Sequence, residues 1–171
     1  MTYKEKLNQV KAFAFDIDGV FSGLLTLAQS GELMRTMNVK DGYAVQYACR
    51  KGYPVAIITG GNTESIRIRF VALGVKDIYL QSSDKIHDLR DFASRNGLSL
   101  DEILYMGDDI PDMEVMLHSG VSTCPADAAT EIKEMAMYIS PKTGGQGCVR
   151  DVIEQTLRVQ GRWMEADAHR W

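Results

Sequence analysis

Asp16 and Asp18 stand one residue apart where the apolar run Val10-Lys11-Ala12-Phe13-Ala14-Phe15 breaks into Asp16-Ile17-Asp18-Gly19. Alternation along an extended chain puts both carboxylates on the same side. Two anions this close repel each other unless a cation lies between them, and oxygen ligands suit a hard ion such as Mg²⁺. The pair also supplies two different functions, one carboxylate as nucleophile and one as general acid/base. By themselves the same residues also describe a solvated acidic turn after a strand. Three more groups shift that balance. Thr59-Gly60-Gly61 ends a second apolar run, Gly107-Asp108-Asp109 ends a third, and Lys85 opens a helix-like segment. Carboxylates from two strand ends can hold Mg²⁺. The Thr59 hydroxyl, the N–H groups of Gly60 and Gly61 and the Lys85 ammonium are donors suited to phosphate oxygens. The implied reaction is phosphoryl transfer to Asp16 and hydrolysis of the aspartyl-phosphate. Asp18 would protonate the leaving alkoxide and later deprotonate the water.

Such groups converge only if the chain brings the strand ends to one edge, and the pattern of elements supplies this. After the first strand, residues 24–37 form two short arms around Ser30-Gly31 and read as a β-hairpin. Helical spacing follows from Asp41 to Arg50, then a buried strand Pro54–Ile58, a helix capped by Asn62, and a short strand Asp77–Leu80. A helix from Asp84 to Asn96 closes on Gly97. Next come a strand Ile103–Met106, a helix begun by Pro111, strands near 120–123 and 137–139, and helices at 127–133 and 147–159. Repeated strand–helix units predict an α/β fold, a Rossmann-like open parallel sheet with helices on both faces and the hairpin inserted after the first strand. Ligands bind beyond the carboxyl ends of such strands.

The 171 residues fit one domain, with a tail over 161–171 expected to be flexible. A net charge of −4 and the absence of a basic run argue against nucleic acid or an anionic membrane as partner. The charged N-terminus lacks an apolar signal core, and no segment reaches bilayer-spanning length. Cys49, Cys124 and Cys148 are scattered and odd in number, which fits reduced thiols and a cytoplasmic location.

Asp16-Ile17-Asp18-Gly19, Thr59-Gly60, Lys85 and Gly107-Asp108-Asp109 resemble the ordered motifs of the haloacid dehalogenase superfamily. Asn38-Val39-Lys40-Asp41-Gly42-Tyr43, Ile57-Ile58-Thr59-Gly60, Asp112 and Gly144-Gly145-Gln146-Gly147-Cys148-Val149-Arg150 narrow the resemblance to the capless 3-deoxy-D-manno-octulosonate 8-phosphate phosphatases. That resemblance implies an Mg²⁺-dependent phosphoric monoester hydrolase acting in lipopolysaccharide sugar biosynthesis. It makes Asp16 the nucleophile and Asp18 the acid/base. The metal ligands would be Asp16, the Asp18 backbone carbonyl and Asp108, supported by Asp109 and Asp112. Thr59, Gly60 and Lys85 would bind phosphate. It also implies a homotetramer in which neighbouring subunits serve as the cap. The apolar hairpin residues Leu24, Leu25, Leu27, Leu33 and Met34 are compatible with such burial. The chain departs from the family in looking one residue shorter around Ser22-Gly23 and in carrying Gly61 where a charged residue is usual.

Arg67 and Arg69 are both suited to gripping a substrate carboxylate, but two residues apart on a helix they point about 200° apart. Arg69 matches the family's recurrent arginine and is the one chosen. Lys40, Asp41 and Gly61 are placed at the sugar pocket, with capping of the helix that follows it an equal reading for Asp41. A nine-carbon, sialic-type ulosonate phosphate is the alternative substrate. A catalytically silent oligomerisation module is the alternative of another class, and it should have lost part of the acid and metal set that is complete here.

Overall fold

The computed structural model describes residues 1–171. The chain runs through α1 (Tyr3–Leu7), β1 (Ala12–Phe15), β2 (Leu25–Leu27), β3 (Leu33–Arg35) and α2 (Val39–Arg50). It continues with β4 (Val55–Ile58), α3 (Glu64–Ala72), β5 (Asp77–Tyr79), α4 (Lys85–Arg95) and β6 (Ile103–Met106). The last elements are α5 (Met113–His118), β7 (Val121–Cys124), α6 (Thr130–Met135), β8 (Tyr138–Ile139) and α7 (Cys148–Val159). Six strands form one parallel sheet in the order β5-β4-β1-β6-β7-β8, and β2 and β3 pair separately as an antiparallel hairpin. This is the expected α/β arrangement.

Strand β1 shows how the sequence divides the core. Phe13 and Phe15 join the larger apolar cluster, under α1, α2, α3 and α7, while Ala12 and Ala14 face the smaller cluster under α4, α5 and α6. A strand buried on both faces cannot alternate apolar with polar, so it alternates large with small. Phe15 pairs with Ile57 on one side and Met106 on the other. The three central strands therefore end within one residue of each other, and the residues one or two beyond them (Asp16, Thr59 and Asp108) emerge at one edge.

Several boundaries differ from the sequence expectation for local reasons. Helix α2 starts ahead of Asp41 because the Asn38 side chain accepts a hydrogen bond from Lys40 N–H at 2.8 Å. Thr63, not Asn62, is the N-cap of α3, and its hydroxyl accepts from Arg35 instead of from its own helix. Pro111 lies in a 3₁₀ turn, Ile110–Asp112, ahead of α5. Asp127 precedes α6, and its carboxylate accepts from Gly144 N–H at 2.8 Å.

The segment after α7 folds back on α2, where the sequence alone suggested a flexible tail. Tyr43 and Tyr47 donate to the carbonyls of Ala168 and Arg162 at 2.5 and 3.1 Å, and Trp163 packs on the larger core cluster. No helix is long and apolar enough to cross a membrane.

Candidate active site

Asp16, Asp18, Thr59, Gly60, Gly61, Lys85, Asp108, Asp109 and Asp112 line one cleft of about 530 Å³ at the carboxyl edge of the sheet. Each is delivered by its local structure. Asp16 follows β1 directly, and its Oδ1 accepts from Ile17 N–H at 2.7 Å. Gly19, at φ +89°, turns the chain past β6, and a Cβ there would lie 1.8 Å from Asp108 Oδ2. Only glycine permits that approach. Lys85 is the first residue of α4, behind the N-cap Asp84.

Asp112 organises the cleft from behind. It is wholly buried, and its Oδ1 accepts from Lys85 Nζ and from the Tyr105 hydroxyl, both at 2.7 Å. Its Oδ2 accepts from the N–H groups of Asp108 and Asp109 at 3.0 and 3.4 Å. With four donors on two oxygens, Asp112 is engaged in holding the loop and the lysine. Asp109 caps the following turn by accepting from Ile110 N–H at 2.8 Å. Lys85 Nζ reaches Asp16 Oδ2 at 2.9 Å as well, so one ammonium bridges two carboxylates.

One cation does not balance this much negative charge. Burial, then the Asp112 carboxylate, push Asp16 up to about 6 against the pull of Lys85. Burial, then Asp16, Asp112 and Asp109, push Asp108 up to about 7. Oxygens of Asp16, Asp108 and Asp112 all lie within 4.8 Å of one another. The Asp108 carboxylate and the Asp18 backbone carbonyl accept no hydrogen bond from the chain. Crowded carboxylates that stay uncompensated, beside oxygens without donors, form a donor set that fits Mg²⁺.

On the phosphate side, Thr59 is 1% exposed and its Oγ1 accepts from Gly61 N–H at 3.1 Å, which leaves the hydroxyl proton free to be donated. The Gly60 N–H has no acceptor within the chain. The expectation of a free Gly61 N–H is thus corrected: Thr59 occupies it.

Three sequence-predicted substrate residues are not brought to this cleft. Asp41 is wholly buried and accepts from Arg150 N–H at 2.8 Å, so it caps the first turn of α7 and is out of a sugar's reach. Lys40 is exposed beside Gln146 and Arg150, in a separate polar depression. Arg69 faces α2, where a Cβ on Gly42 would come within 2.6 Å of its Nη2. Arg67 borders yet another depression, with Ser82 and His87. The two arginines thus point to different surroundings, and neither ends in the cleft.

Arg35, which reaches the cleft through Asp18, is a residue that sequence reasoning missed. Its side chain is only 5% exposed, and it forms a fork on Asp18, Nε to Oδ1 at 2.7 Å and Nη2 to Oδ2 at 2.9 Å. Its Nη1 donates to Thr63 Oγ1 and to the Leu33 carbonyl. A signal existed: Arg35 shares a strand face with Leu33, and a charge on a partly buried face needs a partner of opposite sign.

Residues 71–153 match the family model of the haloacid dehalogenase-like hydrolases. The 3-deoxy-D-manno-octulosonate 8-phosphate phosphatase of Escherichia coli K12 is 33% identical over 162 residues, covering 94% of this chain and 86% of that protein. The Yersinia pestis protein of the same name is 31% identical over 159 residues, covering 92% and 85%. A crystal structure of the Moraxella catarrhalis phosphatase of this name, in complex with a magnesium ion, a phosphate ion and a KDO molecule, superposes with a TM-score of 0.90 at 30% identity. That superposition covers 94% of this chain and 93% of the other.

Proposed function

This chain belongs to the haloacid dehalogenase-like hydrolases, with the 3-deoxy-D-manno-octulosonate 8-phosphate phosphatases among its relatives, and on that footing we propose that it hydrolyses 3-deoxy-D-manno-octulosonate 8-phosphate. It is a Mg²⁺-dependent phosphoric monoester hydrolase. The observation that carries the reading is the single cleft in which Asp16 meets Lys85 at 2.9 Å, next to the free oxygens of Asp108 and the free N–H of Gly60.

Asp16, Asp108 and the Asp18 carbonyl would hold the Mg²⁺, with Asp112 and Asp109 fixing the loop that carries Asp108. When bound, the ion offsets carboxylate repulsion and draws charge from phosphoryl oxygens. The Thr59 hydroxyl, Gly60 N–H and Lys85 ammonium hold the phosphoryl group against Asp16. The Asp16 carboxylate forms a bond to phosphorus while the ester P–O bond breaks. The electron pair leaves on the alcohol oxygen, which takes a proton from Asp18. Asp18 then removes a proton from water as it attacks the aspartyl-phosphate, releasing phosphate and restoring Asp16.

The cleft has no inserted cap domain over it, since only the hairpin and α2 separate β1 from β4. Leu24, Leu27 and Met34 of the hairpin are 86, 76 and 55% exposed. An apolar edge of this kind supports a homotetramer in which neighbours cover each other's clefts. The test is a phosphate-release screen of eight- and nine-carbon ulosonate phosphates with Mg²⁺, using Asp16→Asn as the control. Preferred release from the eight-carbon ester is expected. Preference for the nine-carbon ester would change the substrate, and release by Asp16→Asn near the wild-type rate would remove Asp16 as nucleophile.

A further inference from the structure

The hairpin between β1 and α2 does more than present an apolar edge. It carries Arg35 to Asp18 across 17 positions of sequence and buries it there. The Asp18 carboxylate, 35% exposed, accepts hydrogen bonds from Arg35 and from no other group in the chain. Arg35 is itself restrained at its other end by Thr63 Oγ1 at 3.1 Å and the Leu33 carbonyl at 3.3 Å. A fork of this kind fixes the plane of a carboxyl group, because two parallel N–H bonds allow one orientation. It also uses only one lone pair on each oxygen and leaves the remaining lone pairs open to the cleft.

We propose that Arg35 is a positioning residue that holds the Asp18 carboxyl in the orientation from which it delivers a proton to the leaving-group oxygen. The inference rests on the acid role given to Asp18 above. A lone aspartate on a turn has free rotation, and a misdirected acid forfeits much of the gain from being nearby. Anchoring through Thr63 ties this orientation to α3 and the Thr59 loop, so the acid and the phosphate donors share one frame. An arginine meant to bind phosphate would leave donors free toward the cleft. Here four of the five N–H donors, on Nε, Nη1 and Nη2, are already given to the protein itself, and the single N–H left on Nη2 cannot form a fork on a phosphate.

The experiment exploits the leaving group. A p-nitrophenolate departs without a proton, whereas a simple alkoxide requires one. The value of kcat/KM reports only steps up to departure of the alcohol, so hydrolysis of the aspartyl-phosphate does not enter it. We would measure kcat/KM for wild type, Arg35→Gln, Arg35→Lys and Asp18→Asn on carboxylate-free esters of graded basicity, from p-nitrophenyl phosphate to an alkyl phosphate. Arg35→Gln is expected to lose about 10–100-fold on the alkyl ester, part of the roughly 10²–10⁴-fold that general acid catalysis contributes. On p-nitrophenyl phosphate the loss should stay within a few-fold. Arg35→Lys, a point charge that can reach one oxygen, should fall between wild type and Arg35→Gln, and it carries the comparison if Arg35→Gln fails to fold. Equal losses on all esters would make Arg35 a phosphate-binding or purely structural group and overturn the proposal, as would full activity on the alkyl ester. If Asp18→Asn itself shows no dependence on the leaving group, the acid role of Asp18 falls first, and the two failures are told apart.

Discussion

Replacing Asp112 by asparagine separates its role from that of its neighbour Asp109. Asp112 is wholly buried and receives four donors: Lys85 Nζ, the Tyr105 hydroxyl and two backbone N–H groups. An asparagine of the same size has one acceptor oxygen and one amide nitrogen. If the oxygen faces Lys85 and Tyr105, the NH₂ group meets the N–H of Asp108 and Asp109. If it turns over, the NH₂ group meets the ammonium and the hydroxyl. Either way two buried donors lose their acceptor, at about 1–3 kcal/mol each. Removing one partner of a buried ion pair costs about 3–5 kcal/mol by itself, and the two figures overlap. Two effects offset part of this loss. Lys85 keeps Asp16 at 2.9 Å, and one fewer negative charge relieves the repulsion that raises Asp16 and Asp108. The lower end, about 3 kcal/mol, is therefore expected. At this chain length that lowers Tm by about 6–12 °C. Asp109→Asn is the control, since Asp109 is exposed and an asparagine caps Ile110 N–H nearly as well; it should cost under about 1 kcal/mol. Thermal melts followed by circular dichroism in EDTA at neutral pH decide the matter. A Tm for Asp112→Asn within about 2 °C of wild type, or a larger loss for Asp109→Asn, would refute the view that Asp112 is the internal anchor of the site.

Asp108, raised to about 7, and Asp16, raised to about 6, keep protons in the folded state that the unfolded chain gives up near 3.8. Their stabilising contribution is therefore full below the unfolded value and is lost as pH rises through the folded ones. The metal-free protein should lose Tm from pH 5 to pH 8, and added Mg²⁺ should raise Tm more at pH 8 than at pH 5; calorimetry showing a Mg²⁺ gain independent of pH would contradict this. Gly19→Ala places a Cβ 1.8 Å from Asp108 Oδ2 at a φ of +89°, so Asp108 must move and Mg²⁺ binding should weaken by about tenfold or more in titration calorimetry. Unchanged affinity would show that Asp108 does not hold the ion. If the proposed tetramer packs through the exposed hairpin, Leu27→Glu with Met34→Lys should convert it to smaller species by light scattering and depress turnover of the sugar phosphate. A mass identical to wild type would place the interface elsewhere.

What the sequence determined by itself is the part encoded over a few residues. Ala12-Phe13-Ala14-Phe15 alternates small with large because both faces of β1 are buried, and Asp16 follows at once, so strand and carboxylate are specified together. Thr59, Lys85 and Asp108 are equally local, each the first polar group after a strand or at the start of a helix. Once the βα order implied a parallel sheet, their meeting at one edge was a consequence of strand ends that match to within one residue. Only the tertiary structure decided which side chains pair across long stretches of chain. Asp41 was readable as a cap of the helix that follows it, but Asn38 caps that helix and Asp41 caps α7 through Arg150, 109 positions away. Arg69 lay in the expected helix, yet the packing of α3 on α2 turns it to Gly42. Arg35 lies in a hairpin notable in sequence for its apolar residues, and only the docking of that hairpin pairs it with Asp18. A salt bridge or a cap has no sequence period, so its partner is fixed by how whole elements dock and cannot be read from either residue alone.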